Sequence, residues 1–176
     1  MGELVLRDTV GQTAVLTLNR PERHNSLVPV FLEEMLAKLT AATADSNIRA
    51  LVLQANGRSF STGGDAQGFV DHADDIAAYS GRIVGLLNEC MLALIDLPVP
   101  VITAVHGQTT GGSLGFILAS DMVLVSPEAS FTPFYSVVGP SPDGGWAVLL
   151  AKVIGRKRAA AVLYSNETIT AETAVA

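Results

Sequence analysis

The sequence is poor in several things, and each scarcity excludes something. It has one cysteine, Cys90, in 176 residues. That rules out an internal disulfide framework and a cysteine-built metal site, and an apolar run around Cys90 makes it a core residue. Basic residues are outnumbered, 11 Lys and Arg against 17 Asp and Glu, for a net charge of −6. A nucleic-acid surface needs the opposite balance. The one basic cluster, Arg156-Lys157-Arg158, reads as a solvated helix start. The longest apolar region, Cys90 to Val105, is broken by Asp96, Pro98 and Pro100, so no membrane span is expected. The opening "MGELVLRD" carries charges inside its apolar stretch, unlike a secretory signal. No repeat or low-complexity linker divides the chain. One cytoplasmic domain over 1–176 is expected, with no nucleic-acid or membrane partner.

What is present suits a sizeable core: 49% of residues are apolar. Glu3–Arg7, Ala14–Asn19, Arg49–Gln54, Val99–Val105 and Met122–Ser126 read as strands, with Phe60–Thr62 as a shorter one. Phe31, Leu32, Met35, Leu36 and Leu39 follow helical spacing within 28–44, and Ser26 and Pro29 are its start signals. Asp74–Ile95 reads as a long helix, Gly111–Ser120 as a short one. Another helix is expected from Pro142 through Val153, and one over Arg156–Tyr164. Strands alternating with helices indicate an α/β fold. The end, "TITAETAVA", resembles a helix just begun, with Thr170 as its N-cap. We expect the natural protein to continue.

Two places join a strand, a glycine pair and a helix start: Phe60-Ser61-Thr62-Gly63-Gly64-Asp65 and Gly111-Gly112-Ser113. Glycine admits close approach to the backbone and positive φ. Helix N-termini carry unsatisfied N–H groups. Two such groups converging on one oxygen would form an oxyanion hole. Plain tight turns give the same pattern, and spacing alone does not separate the two.

Four segments, in order, resemble the enoyl-CoA hydratase/isomerase (crotonase) superfamily: "LTLNRPERHNSL", "GRSFSTGGD", "PVPVITAVHGQTTGGSLGFILASDMVLVSPEASF" and "GPSPDGGWAVLLAKVIGRKRA". The resemblance implies a crotonase-type α/β fold of repeated ββα units, here without the family's C-terminal helical segment. It implies a homotrimer or a dimer of trimers and a bent acyl-CoA thioester substrate. Coenzyme A would enter as part of that substrate, and no separate cofactor, metal, nicotinamide or flavin is implied. The thioester oxygen would sit between the N–H groups of Gly64 and Gly112. Thr62 and Ala66 match backbone positions around the adenine and pantetheine. Arg23 falls near the phosphate region, and the backbone of His24 lines the coenzyme site.

Hydratases of this superfamily use two glutamates, whose positions fall on Gly115 and Tyr135. Adding water needs groups to activate it and to protonate carbon, so hydration is disfavoured. Asp143 falls where some isomerases carry a catalytic aspartate, a pattern like that of the ring-epoxide phenylacetyl-CoA isomerase branch. The expected activity is enoyl-CoA isomerisation, with Asp143 moving a proton between C2 and C4 and Tyr135 lining the acyl site. Phe131, Phe134, Tyr135, Val138 and Trp146 are expected as apolar walls that raise its pKa. Asp143 also has the character of an N-cap before Gly144.

Other readings stay open at this level. Gly111–Gly115 fits G-x-S-x-G, the nucleophile-elbow pattern of hydrolases, although every histidine precedes Ser113. An aryl-CoA dehalogenase would use the aspartate as nucleophile, and a hydratase-like reaction or a non-catalytic acyl-CoA-binding subunit would need no shuttle. His106 reads as a structural hydrogen-bonding residue. His72 with Asp71, Asp74 and Asp75 reads as a solvated helix start rather than a metal site.

Overall fold

The structure is a computed structural model that describes residues 2–176. Strand β1 (Val5–Val10) turns at Gly11 into β2 (Thr13–Leu18), and the two pair antiparallel. A polar loop then leads to α1 (Pro29–Thr43) and β3 (Ala50–Ala55). After α2 (Ala66–Asp71) and α3 (Ile76–Ile95) come β4 (Val101–Val105) and β5 (Gln108–Thr110). A 3-10 turn, Gly111–Ser113, opens α4 (Leu114–Leu118), followed by β6 (Met122–Val125) and β7 (Ser130–Thr132). The remainder is α5 (Tyr135–Val138), α6 (Leu149–Ile154), α7 (Arg156–Ser165), β8 (Ile169–Thr170) and α8 (Ala171–Val175).

The larger sheet runs β1-β2-β3-β4-β6, parallel from β2 onward, and the smaller runs β5-β7-β8. Single bridges, Ser61 to Thr109 and Leu27 to Gly64, extend the smaller sheet toward the N-terminal side. The chain therefore repeats one pattern. It sends a long strand into the large sheet, a short one into the small sheet, and then a helix across. This is the expected ββα repetition, and it stacks the ends of the short strands, where the glycine pairs lie.

Helix α1 buries Phe31, Leu32, Met35 and Leu39, and α3 buries Ile83, Leu87, Cys90, Met91 and Leu94. The two helices pack together, and the sheet contributes Leu16, Leu18, Leu51 and Leu53 to the same core. Each such side chain stabilises by roughly 1.5–3 kcal/mol. The Cys90 thiol donates to Leu32 O, and burial pushes its pKa up to about 12. It is an inert core residue, as its apolar setting implied.

Several expected boundaries move. Residues 142–148 do not form a helix; α6 starts only at Leu149. Gly144 and Gly145 have φ of +54° and +77°, which a right-handed helix cannot contain. The stretch Gly111–Ser120 splits into a 3-10 turn and the short α4. Pro29 opens α1, but the Ser26 hydroxyl is engaged elsewhere and caps nothing. Thr170 does cap α8, accepting the Thr173 N–H.

Candidate active site

The bridge between Ser61 and Thr109 lays the two glycine loops side by side. Gly63 (φ +76°) and Gly111 (φ +51°) both occupy the left-handed region. A Cβ on Gly63 would lie 2.9 Å from the Thr110 carbonyl oxygen and 3.4 Å from Gly111 Cα, so the backbones approach as only glycine permits. The Gly63 carbonyl accepts the Leu27 N–H, and the Asp65 N–H donates to Leu27 O. In a trans peptide the Gly64 N–H points opposite to the Gly63 carbonyl. It therefore faces away from Leu27. Gly112 lies in the first turn of a helix, where N–H groups have no intrahelical acceptor. Among the described residues neither amide donates to a protein acceptor.

The loop carrying Asp143 folds onto Gly112. A Cβ on Gly144 would lie 2.3 Å from the Gly112 oxygen and 2.6 Å from its Cα. Trp146 Nε1 donates to the Gly111 carbonyl at 2.7 Å. These contacts bring the Asp143 carboxyl against Gly112: a Cβ there would meet Asp143 Oδ1 at 2.7 Å. The Tyr135 hydroxyl donates to the same Oδ1 at 2.5 Å. Burial lifts the Asp143 carboxyl above its ordinary pKa, and the Tyr135 hydrogen bond opposes the rise. Burial, and then the Asp143 charge, push the Tyr135 phenol far above its usual range, so it stays protonated and donating.

Two expectations change here. Tyr135 is buried and its hydroxyl is bonded to Asp143, a contact not anticipated for it. Val138 and Phe134 are 73% and 42% exposed and do not wall Asp143; Tyr135, bonded to its carboxyl, packs edge to face on the fully buried Trp146. The Asp143 side chain caps no helix; it is its carbonyl that accepts the Trp146 N–H. Phe134 adopts φ +62°, uncommon for a bulky residue, and its N–H is held by Asn166 Oδ1.

Gly115 is closely packed: a Cβ there would lie 2.5 Å from Met91 Sδ and 3.2 Å from Gly144 Cα. A side chain at 115 therefore requires Met91 to swing aside and the Asp143 loop to give by a few tenths of an ångström.

The other expected binding residues gather along one rim. The expected strand Phe60–Thr62 is reduced to single bridges at Ser61 and Gly64; the His24 carbonyl accepts the Thr62 N–H, which places His24 beside this segment. Ala66 opens α2 and is exposed. Arg23 is ion-paired with Asp65 at 2.8 Å, and Arg20 holds the other Asp65 oxygen at 2.7 Å. Burial alone would raise the Asp65 pKa, but Arg23, Arg20 and Ser26 outweigh it and hold the carboxyl well below the usual range. Asp65 also caps α2 through the N–H groups of Gln67 and Gly68. Arg20 and Asp65 were not anticipated. The signal lay in an aspartate just before a helix and in two arginines within "NRPER". Arg20, Arg23, Gly68 and Tyr79 line a groove of about 770 Å³.

The remaining histidines are structural. His106 Nε2 bonds the Gly57 carbonyl at 2.7 Å, and His72 stacks on Tyr79. Ser113 is fully buried and its hydroxyl bonds Ser61 and the Gly63 N–H, with no imidazole among its partners. It sits in a 3-10 turn at ordinary helical angles, so the nucleophile-elbow reading fails.

The family model for enoyl-CoA hydratase/isomerase matches residues 9–176. A trans-2-decenoyl-[acyl-carrier-protein] isomerase of Streptococcus mutans is 35% identical over 174 residues, 97% of this chain and 65% of that protein. A 1,2-epoxyphenylacetyl-CoA isomerase of Escherichia coli is 33% identical over 99% of this chain and 67% of its own length. Among solved structures, an enoyl-CoA hydratase from Polaromonas sp. JS666 superposes with a TM-score of 0.89 at 32% identity, covering 96% of this chain and 65% of that one. The chain spans about two thirds of the length of these proteins, and both isomerase and hydratase names occur among them.

Proposed function

The chain belongs to the enoyl-CoA hydratase/isomerase family, and on that footing we propose that it is an enoyl-CoA isomerase that moves a double bond through a single carboxylate. The observation that carries this reading is the Asp143 carboxyl against Gly112, with Gly115 and Tyr135 at the two hydratase positions. In the proposed reaction the thioester oxygen of a 3-enoyl-CoA accepts the N–H groups of Gly64 and Gly112. The Asp143 carboxylate, its Oδ1 against Gly112 and bonded to Tyr135, takes a proton from C2 on one of its oxygens. The C2–H electron pair moves into a dienolate whose charge the two amides stabilise, each such donor typically contributing about 2.7–4 kcal/mol. The same oxygen then returns the proton at C4, leaving the double bond between C2 and C3. Atoms and charge balance without water or any other reactant. Hydration would require a second group to hold and activate water, and residues 115 and 135 offer no carboxylate for it.

Tyr135 sets the pH at which this base works. Its hydrogen bond stabilises the ionised carboxylate and opposes the rise from burial. In Tyr135→Phe the Asp143 pKa is expected to climb further. The acid limb of the kcat/KM profile for 3-enoyl-CoA should then move to higher pH. A profile with an unmoved acid limb in this variant would count against Asp143 as the titrating base.

A further inference from the structure

The serine of the G-x-S-x-G stretch is left without a task once the hydrolase reading fails. Its surroundings give it one. Ser113 and Ser61 are both 0% exposed, and their hydroxyls lie 2.5 Å apart across 52 residues of sequence. Ser61 Oγ is 2.6 Å from the Asn25 carbonyl, and the Gly63 N–H donates to Ser113 Oγ at 3.0 Å. A carbonyl only accepts, so the single Ser61 proton goes to Asn25. Ser113 must then donate to Ser61. The chain has one direction: Gly63 N–H to Ser113, Ser113 to Ser61, Ser61 to Asn25. It ties together the loop after β2, the bridged segment 61–64 and the turn that contains Gly112.

We propose that Ser113, backed by Ser61, is a positioning residue that sets the separation and aim of the two amides at Gly64 and Gly112. This rests on the two-amide reading above. Ser113 directly follows Gly112 and holds the amide directly preceding that of Gly64. One side chain thus links the neighbours of both donors. The Gly63 carbonyl is fixed from the other side by Leu27, so the Ser113 bond and the Leu27 bond together determine where the Gly64 N–H points. Without the hydroxyl, the left-handed Gly63 is free to rock. An error of about 1 Å in such a site is enough for a roughly 100-fold loss.

The test uses the full natural chain and a saturated acyl-CoA isotope-labelled at the thioester carbonyl, with the carbonyl stretch read by infrared difference. Wild-type protein should shift this band to lower frequency on binding. Ser113→Ala should show a smaller shift and a kcat roughly 10- to 100-fold lower, with affinity for coenzyme A itself unchanged. Ser61→Ala should move both readouts the same way but less, because Ser113 keeps its oxygen for Gly63; it carries the test should Ser113→Ala not fold. The control is Ser120→Ala, which loses half-buried bonds to Thr103 and to the Phe116 carbonyl. It should lower Tm and leave kcat unchanged. If both serine variants keep the wild-type band shift and kcat while Tm falls as in the control, the positioning role is overturned. If wild-type protein shows no band shift at all, the two-amide reading falls, and the clamp with it.

Discussion

Asp143→Asn is expected to lower kcat for 3-enoyl-CoA isomerisation by about 10²–10⁴-fold, the contribution typical of one positioned general base. That is roughly 3–5 kcal/mol of transition-state stabilisation. Asparagine keeps the size and can still accept the Tyr135 hydrogen bond, so the loop should stay seated on Gly112. KM should change little, because the two amides and the rim of Arg23, His24, Thr62 and Ala66 proposed to hold the substrate are untouched. Two measurements separate loss of the base from loss of the site: the Tm, expected near wild type, and binding of a saturated acyl-CoA, expected to persist. Removing a buried carboxyl whose pKa is raised above its ordinary value has a further consequence. An unfolded aspartate ionises near pH ~3.9, whereas the folded one holds its proton to higher pH. Its ionisation therefore weakens the fold as pH rises through the folded value. The variant should lack that loss and be no less stable than wild type at neutral pH.

The second large effect is expected from Gly144→Ala. Its Cβ would stand 2.3 Å from the Gly112 oxygen and 2.7 Å from its carbonyl carbon. These are backbone atoms, which cannot swing aside. The residue also has φ +54°, where an L side chain costs about 1–2 kcal/mol. The loop must lift, carrying Asp143 away from Gly112. We expect kcat to fall by roughly 100-fold or more and stability to drop by roughly 2–4 kcal/mol. Gly11→Ala is the matched comparison: φ is +60°, but nothing lies within 4 Å of the new Cβ. It should show a modest loss of Tm and wild-type kcat. Equal behaviour of the two variants would mean that the close approach at Gly144 does not matter.

Much of this architecture was legible in the sequence, for reasons that differ by element. Strands such as "VITAV" announce themselves by β-branched residues, and α1 and α3 by apolar spacing that their buried faces reproduce. The glycine pairs were visible as features, but spacing alone could not tell turns from donors. The resemblance supplied their expected role and that of Asp143. What stayed hidden depends on contacts between distant residues. Asp65 meets Arg20 across 45 positions, and Ser61 meets Ser113 across 52. Neither pairing leaves a local mark. The "PDGG" segment misled because Pro and Asp resemble a helix start, whereas the two left-handed glycines turn the chain back onto Gly112. Gly115 was legible only as a missing glutamate; its close packing on Gly144 and Met91 appears only in the structure.

The most direct measurement is product identity when the full natural chain is given 3-enoyl-CoA and, separately, 2-enoyl-CoA in deuterated water, read by mass spectrometry. A single-carboxylate shuttle predicts interconversion of the two positional isomers, part of the migrating hydrogen retained from the substrate, and no product heavier by one water. A 3-hydroxyacyl-CoA as the main product from 2-enoyl-CoA would contradict it.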